Sequence, residues 1–116
     1  MVIIEKQPGE PWIKSARNIS DAIETCVNAR ARALLLYPEN LPEKFFDLSS
    51  GEAGEILQKL RQYRIRFAIV CPKAMPLTDR FRELMIEENR ANHFRLFESA
   101  DAAREWLLLE QEVADE

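Results

Sequence analysis

Two uninterrupted apolar runs, Ala33-Leu34-Leu35-Leu36-Tyr37 and Phe67-Ala68-Ile69-Val70-Cys71, constrain the fold more than any other feature of the chain. A strand with one wet face alternates apolar and polar residues, because successive side chains point to opposite faces. Runs without a polar member belong to strands covered on both faces, as in parallel sheets flanked by helices. Neither run approaches the roughly twenty residues that a membrane-spanning helix needs.

The intervening stretches carry helical spacing. Ile19, Ala22, Ile23, Cys26 and Val27 recur at i, i+3, i+4, i+7 and i+8, with Asn18 or Ser20 placed to cap. Ser49-Ser50-Gly51-Glu52 has the pattern of a capping box, Ser49 at the N-cap and Glu52 at the third helical position. Ala53, Ile56, Leu57 and Leu60 form the stripe behind it. A third helix starts near Thr78 or Asp79 and presents Phe81, Leu84 and Met85; a fourth, capped by Ser99, turns Ala102, Ala103, Trp106 and Leu107 to the sheet. Val2-Ile3-Ile4 and Phe94–Phe97 read as short strands, and Trp12-Ile13 is a candidate returning strand after the Pro8-Gly9-Glu10-Pro11 turn. Between Pro38 and Leu48, Phe45 and Phe46 are expected to turn inward. This alternation predicts an α/β fold, a small, mostly parallel or mixed sheet of four to five strands with four helices and right-handed crossovers.

A length of 116 residues suits one domain, expected over residues 1–109. Four of the 20 acidic residues, Glu110, Glu112, Asp115 and Glu116, fall in the last seven positions, which read as an acidic, fraying tail. Without them, acids and bases balance, so the body has no electrostatic footprint for nucleic acid or an anionic membrane. The amino terminus shows no basic start and no apolar leader region, which points to the cytoplasm. Cys26 and Cys71 lie on segments that read as buried and match no metal or redox spacing, so reduced, packed thiols are expected.

Few residues offer chemistry. His93 is the single histidine, and neither a Gly-rich dinucleotide fingerprint nor a P-loop occurs, so no metal, cofactor or catalysis is expected. A Ser49, His93 and Asp47 triad can be written down, but no spacing supports it. The stretch from Asp47 to Gly54 stands out instead: two hydroxyls and two glycines at the start of a helix. In open α/β sheets such a loop lies by the carboxyl ends of the strands, where ligands bind, with the Cys71–Leu77 loop beside it. A phosphoryl group on Ser49 or Ser50 would sit favourably at a helix N-terminus; alternatively Ser49 is simply a cap. Gly54 is expected to permit close helix–sheet packing, Tyr63 to pack with its hydroxyl wet, and Glu55, Glu83 and Glu87 to neutralise Arg61, Arg64 and Arg66.

The stretches Phe45–Val70 (FFDLSSGEAGEILQKLRQYRIRFAIV) and Arg80–Leu107 (RFRELMIEENRANHFRLFESADAAREWL) closely resemble a bacterial family known only as a domain of unknown function, through Phe45–Leu48, Ala53–Lys59, Tyr63-Arg64, Ala68–Val70 and Glu87 to Asn89. More distantly, Asp47-Leu48-Ser49-Ser50-Gly51 resembles the Asp-Ser-Ser-Gly motif of STAS domains of the anti-sigma-factor-antagonist type, with Leu48 added, and Val70-Cys71-Pro72 resembles the strand end that follows it. That resemblance implies a STAS-like fold and a non-enzymatic regulatory role. The serine before the glycine would be the phosphoacceptor, here Ser50, with Ser49 kept open by the extra residue. It also implies a protein partner, such as a kinase-like regulator, contacting Asp47, Gly51, Glu52, Gly54, Cys71 and Pro72. Two other readings remain: a small anionic ligand held in the same crevice, and a structural homodimer.

Overall fold

The computed structural model describes residues 2–71, 77–90 and 92–114; for Asn89 and for 109–114 it describes the backbone alone. Four strands, β1 (Ile3–Glu5), β2 (Ala33–Leu36), β3 (Arg66–Val70) and β4 (Phe94–Phe97), alternate with four helices, α1 (Ile19–Asn28), α2 (Glu52–Gln62), α3 (Asp79–Arg90) and α4 (Ala100–Ala114). The sheet is entirely parallel and its spatial order is the chain order, β1-β2-β3-β4. The expected α/β class and the four helices are present. Trp12-Ile13 forms no strand: Pro11 cannot donate to a ladder, and Ile13 is instead a core residue, 1% exposed.

Strands laid down in chain order with right-handed crossovers place every crossover helix on one face. Accordingly, Leu34, Leu36, Phe67, Ile69 and Phe94 pack with Ile23 and Cys26 of α1, Ile56 and Leu60 of α2 and Phe81 of α3. The alternate residues Ala33, Leu35 and Ala68 face the other way, where Ala103, Trp106 and Leu107 of α4 cover them. Central strands therefore have both faces dry over Ala33–Leu36 and Phe67–Ile69, which is why those runs carry no polar member. Two expected stripe residues miss the sheet: Val27 is 56% exposed and Ala102 is exposed, each at the margin of its helical stripe. Tyr63 is 51% exposed rather than packed, because it lies just beyond α2.

The three crossover helices end alike. Arg30, Arg64 and Asn92 have φ of 57, 58 and 60°, and the next residue donates its N–H back into the helix, Ala31 to Cys26, Ile65 to Leu60 and His93 to Glu88. This left-handed closure lets a helix stop and plunge a buried residue under the sheet.

Phe45 holds the long β2–α2 connection to the first core layer. It is fully buried, with ring centroids 5.1 Å from Phe46, 6.0 Å from Phe81 and 6.3 Å from both Phe67 and Phe94. Phe46, at its side, is partly buried. Phe45→Ala removes a ring shared by three elements and is expected to cost about 3–5 kcal/mol; urea denaturation monitored by Trp fluorescence reads the loss.

Candidate functional site

The carboxyl ends of the strands carry the β1–α1 connection (residues 6–18), the β2–α2 connection (37–51) and the short turn after β4. Asn40 locks the first two together. Its side-chain oxygen accepts the Tyr37 N–H at 2.7 Å, and its Nδ2 donates to the carbonyls of Gln7 (2.8 Å) and Glu10 (2.5 Å). Its own carbonyl accepts the Ile13 N–H at 2.8 Å, and the residue has no exposed surface. A buried amide this fully engaged fixes two irregular segments at once.

Beyond Phe45 the chain winds into a 3-10 turn, Leu48–Ser50, and here the capping box expected of Ser49 and Glu52 does not form. Asp47 takes the role given to Ser49: its carboxylate accepts the Ser49 N–H at 3.1 Å and the Ser49 hydroxyl at 2.6 Å. Those two bonds, the hydroxyl first, hold the Asp47 carboxyl below its ordinary range, with nearby Lys44 adding to them. Gly51, at φ 80°, then breaks the turn from α2, a conformation that glycine adopts without the Cβ penalty. Glu52 opens α2, and its carboxylate reaches 36 residues back to accept the Ala16 N–H at 2.5 Å.

Ser50 lies between turn and helix. Its Oγ is 2.7 Å from the Asp47 carbonyl and 2.8 Å from the Lys44 carbonyl, so one proton serves a shared bond, while the oxygen accepts the Glu52 N–H at 3.2 Å. Asp47, Ser49, Ser50, Gly51 and Gly54 are all exposed at this corner, and Glu52 is partly buried. A Cβ built on Gly54 meets nothing within 4 Å, so this glycine faces open space and does not serve helix–sheet packing. Beside the corner, α1 and α2 border a cleft of about 350 Å³ whose lining includes Arg17, Glu55, Gln58 and Lys59.

Of the two surface residues expected in the next loop, one is buried and the other is not described. Cys71 is 8% exposed, its N–H donating to the Phe97 carbonyl, because it extends the buried run of β3. Pro72, like most of the Cys71–Leu77 loop, lies outside the described residues. Both cysteines are free, and burial pushes each thiol up to about 11, so they stay protonated and unreactive.

His93 stands at the amino end of β4, across the sheet from Ser49, so Asp47 and Ser49 meet without it. It is 8% exposed, beside the buried Glu88. Arg61, not one of the expected Glu55, Glu83 or Glu87 pairings, pairs with Glu88 across the α2–α3 contact. Arg66 instead donates to the carbonyls of Asn92 (2.8 Å) and Trp106 (3.3 Å). Asn40 and Glu88 were not legible as site or cluster residues: one reads as a turn residue after Pro38, the other as one more acid on a charged helix.

A family model described as a domain of unknown function, DUF4180, matches residues 1–107. The chain belongs to that family. No curated protein and no solved structure matches it, and the comparison does not reach STAS domains.

Two expectations follow for the DUF4180 domain. Asn40→Ala strands the Tyr37 N–H and the Gln7 and Glu10 carbonyls near the core, which costs about 2–4 kcal/mol and raises amide exchange in residues 6–18 and 37–41 together. Hydrogen exchange confined to one of the two segments would contradict the account. Burial, against the pull of Glu88, lowers the His93 pKa from its ordinary 6.5. Between 6.5 and the lower folded value the unfolded chain binds a proton that the fold refuses, so stability falls as pH drops through that window and is unaffected above it. In urea denaturation from about pH 7.5 to 5, His93→Gln flattens that part of the profile relative to the unaltered protein.

Proposed function

We propose that the DUF4180 domain is a non-enzymatic regulatory module that binds a protein partner through the carboxyl edge of its sheet, at Asp47–Gly54, and that phosphorylation of Ser50 switches the contact. The observation that carries the reading is the Ser50 hydroxyl: it is exposed to a modifying enzyme, yet it is the clasp between the Asp47 turn and the start of α2. Esterification removes its proton, so the Lys44 and Asp47 carbonyls lose their donor. It also sets about −1.5 to −2 charges beside the Asp47 carboxylate and the α2 N-terminus. The repulsion loosens the turn while the helix amides attract the phosphoryl oxygens, and the surface changes both shape and charge.

Ser49 serves less well. Its hydroxyl is committed to Asp47 at 2.6 Å, and a phosphoryl group there meets that carboxylate directly. The same geometry argues for binding over catalysis. Asp47, with its pKa lowered, is a weak base for activating the hydroxyl it holds. No metal-holding cluster of His, Cys, Asp and Glu occurs among the described residues. No described helix is long and apolar enough to cross a membrane, and the reading places the module in the cytoplasm.

Trypsin releases Phe45–Lys59 as one peptide whose hydroxyl side chains are Ser49 and Ser50. In protein purified from its native cell, mass spectrometry is expected to find this peptide heavier by about 80 Da, one phosphoryl group, with fragment ions placing it on Ser50. A peptide unmodified across growth conditions rejects the switch. Ser50→Ala should cost about 1 kcal/mol by loss of the clasp alone.

A further inference from the structure

β4 is an edge strand of the sheet, and no described strand pairs with its outer side. The Phe67 N–H donates to the His93 carbonyl (3.0 Å) and the Cys71 N–H to the Phe97 carbonyl (2.8 Å), so odd-numbered residues of β4 turn their backbone toward β3. By the alternation of a parallel ladder, Phe94 and Leu96 turn theirs outward. Alongside runs a groove of about 350 Å³ between α3 and β4, floored by Leu77, Met85, Ile86 and Leu96 and flanked by Arg82 and Arg95. Ile86 is 58% exposed, a large apolar side chain left to water next to unpaired backbone. Arg82 and Arg95 are exposed and form no ion pair among the described residues; the Arg95 guanidinium rests 5.7 Å from the ring of its neighbour Phe97.

We propose that this edge receives an extended segment of a partner protein in which apolar and acidic side chains alternate, joining β4 as a fifth strand. The unpaired Phe94 and Leu96 backbone groups supply the hydrogen bonds of strand addition, which are indifferent to sequence. Selectivity comes from the two sides of the added strand. Side chains toward α3 lie over Met85, Ile86 and Leu96 and must be apolar; those on the opposite side come beside Arg95, and a cross-strand carboxylate is favoured there. Arg82 meets a further carboxylate at the rim. The same arginine bars the commonest rival: two copies pairing through β4 about a twofold axis bring Arg95 near its own counterpart, a like-charge contact. An unpaired cation on an edge strand thus excludes indiscriminate pairing and admits an acidic strand. This surface uses none of the Asp47–Gly54 residues and stands whether or not Ser50 is modified.

The test titrates the isotope-labelled full chain with a capped heptapeptide alternating valine and glutamate, and with its valine and lysine counterpart. Strand addition predicts amide shifts at Leu77, Arg82, Met85, Ile86, Phe94 and Leu96, slowed exchange of the Phe94 and Leu96 amides, and affinity that falls as salt is raised. Arg82→Glu with Arg95→Glu, both at exposed positions, should weaken binding about tenfold or more while leaving the spectrum folded. Ile86→Asp should do the same through the groove. Equal binding of the lysine peptide, shifts elsewhere on the molecule, or no shifts at millimolar peptide overturns the proposal. Sedimentation showing a dimer that either variant dissolves also overturns it, since the occupant is then a second copy.

Discussion

Asn40 spends every polar atom it has on other parts of the backbone: its amide oxygen on Tyr37, its amide nitrogen on Gln7 and Glu10, its own carbonyl on Ile13. Those partners lie up to 33 residues away, in two connections whose regular structure is limited to short 3-10 turns. Buried irregular backbone is costly unless each N–H and C=O finds a partner. One residue, through a side chain with two donors and an acceptor and through its own carbonyl, therefore joins the segment that brings Ile13 into the core to the chain leaving β2. The position of the serine turn follows from that, since Phe45 anchors the segment that delivers Asp47, Ser49 and Ser50 to the surface.

From there to α2 the structure relies on short-range competition between hydrogen bonds. The pattern Ser-Ser-Gly-Glu satisfies a capping box on paper, but Asp47 stands two residues ahead of Ser49, and its carboxylate takes the Ser49 amide that Glu52 would have accepted and the hydroxyl proton as well. Gly51 then permits a left-handed step, so the helix starts two residues later than the serine pattern implies. Glu52, released from the box, bonds the Ala16 amide and ties α2 to the segment ahead of α1. The result is a pair of serines held by their own loop and open to solvent.

Periodicity made most of the fold legible. The runs at Ala33–Tyr37 and Phe67–Cys71 pointed to two-sided burial, and the stripes of α1 and α2 matched the core apart from the marginal Val27. Ser99 caps α4 as expected, its hydroxyl accepting the Ala102 N–H, and Thr78, expected near the start of α3, accepts the Phe81 N–H. The misses share a cause: they depend on contacts distant in sequence. Nothing local distinguishes Asn40 from an ordinary turn asparagine, and nothing in Arg61 or Glu88 announces a pair 27 residues apart. Gly54 looked like a packing glycine because its helix packs, yet it sits on the outer side. In the candidate site, the sequence draws attention to Asp47, Ser49 and Ser50 but does not carry their hydrogen-bond arrangement.

The sequential strand order has a bearing on how the chain assembles during synthesis. Each strand pairs with the one made just before it, so no later strand has to be inserted between two already joined, and every loop closed is short. Helices α1 to α3 can cover their face as they emerge. The opposite face, Ala33, Leu35 and Ala68, waits for α4, the fourth helix in chain order. A nascent or truncated chain ending before Ala103 carries a finished sheet with one bare apolar side, the kind of surface that chaperones hold and that aggregates when they do not.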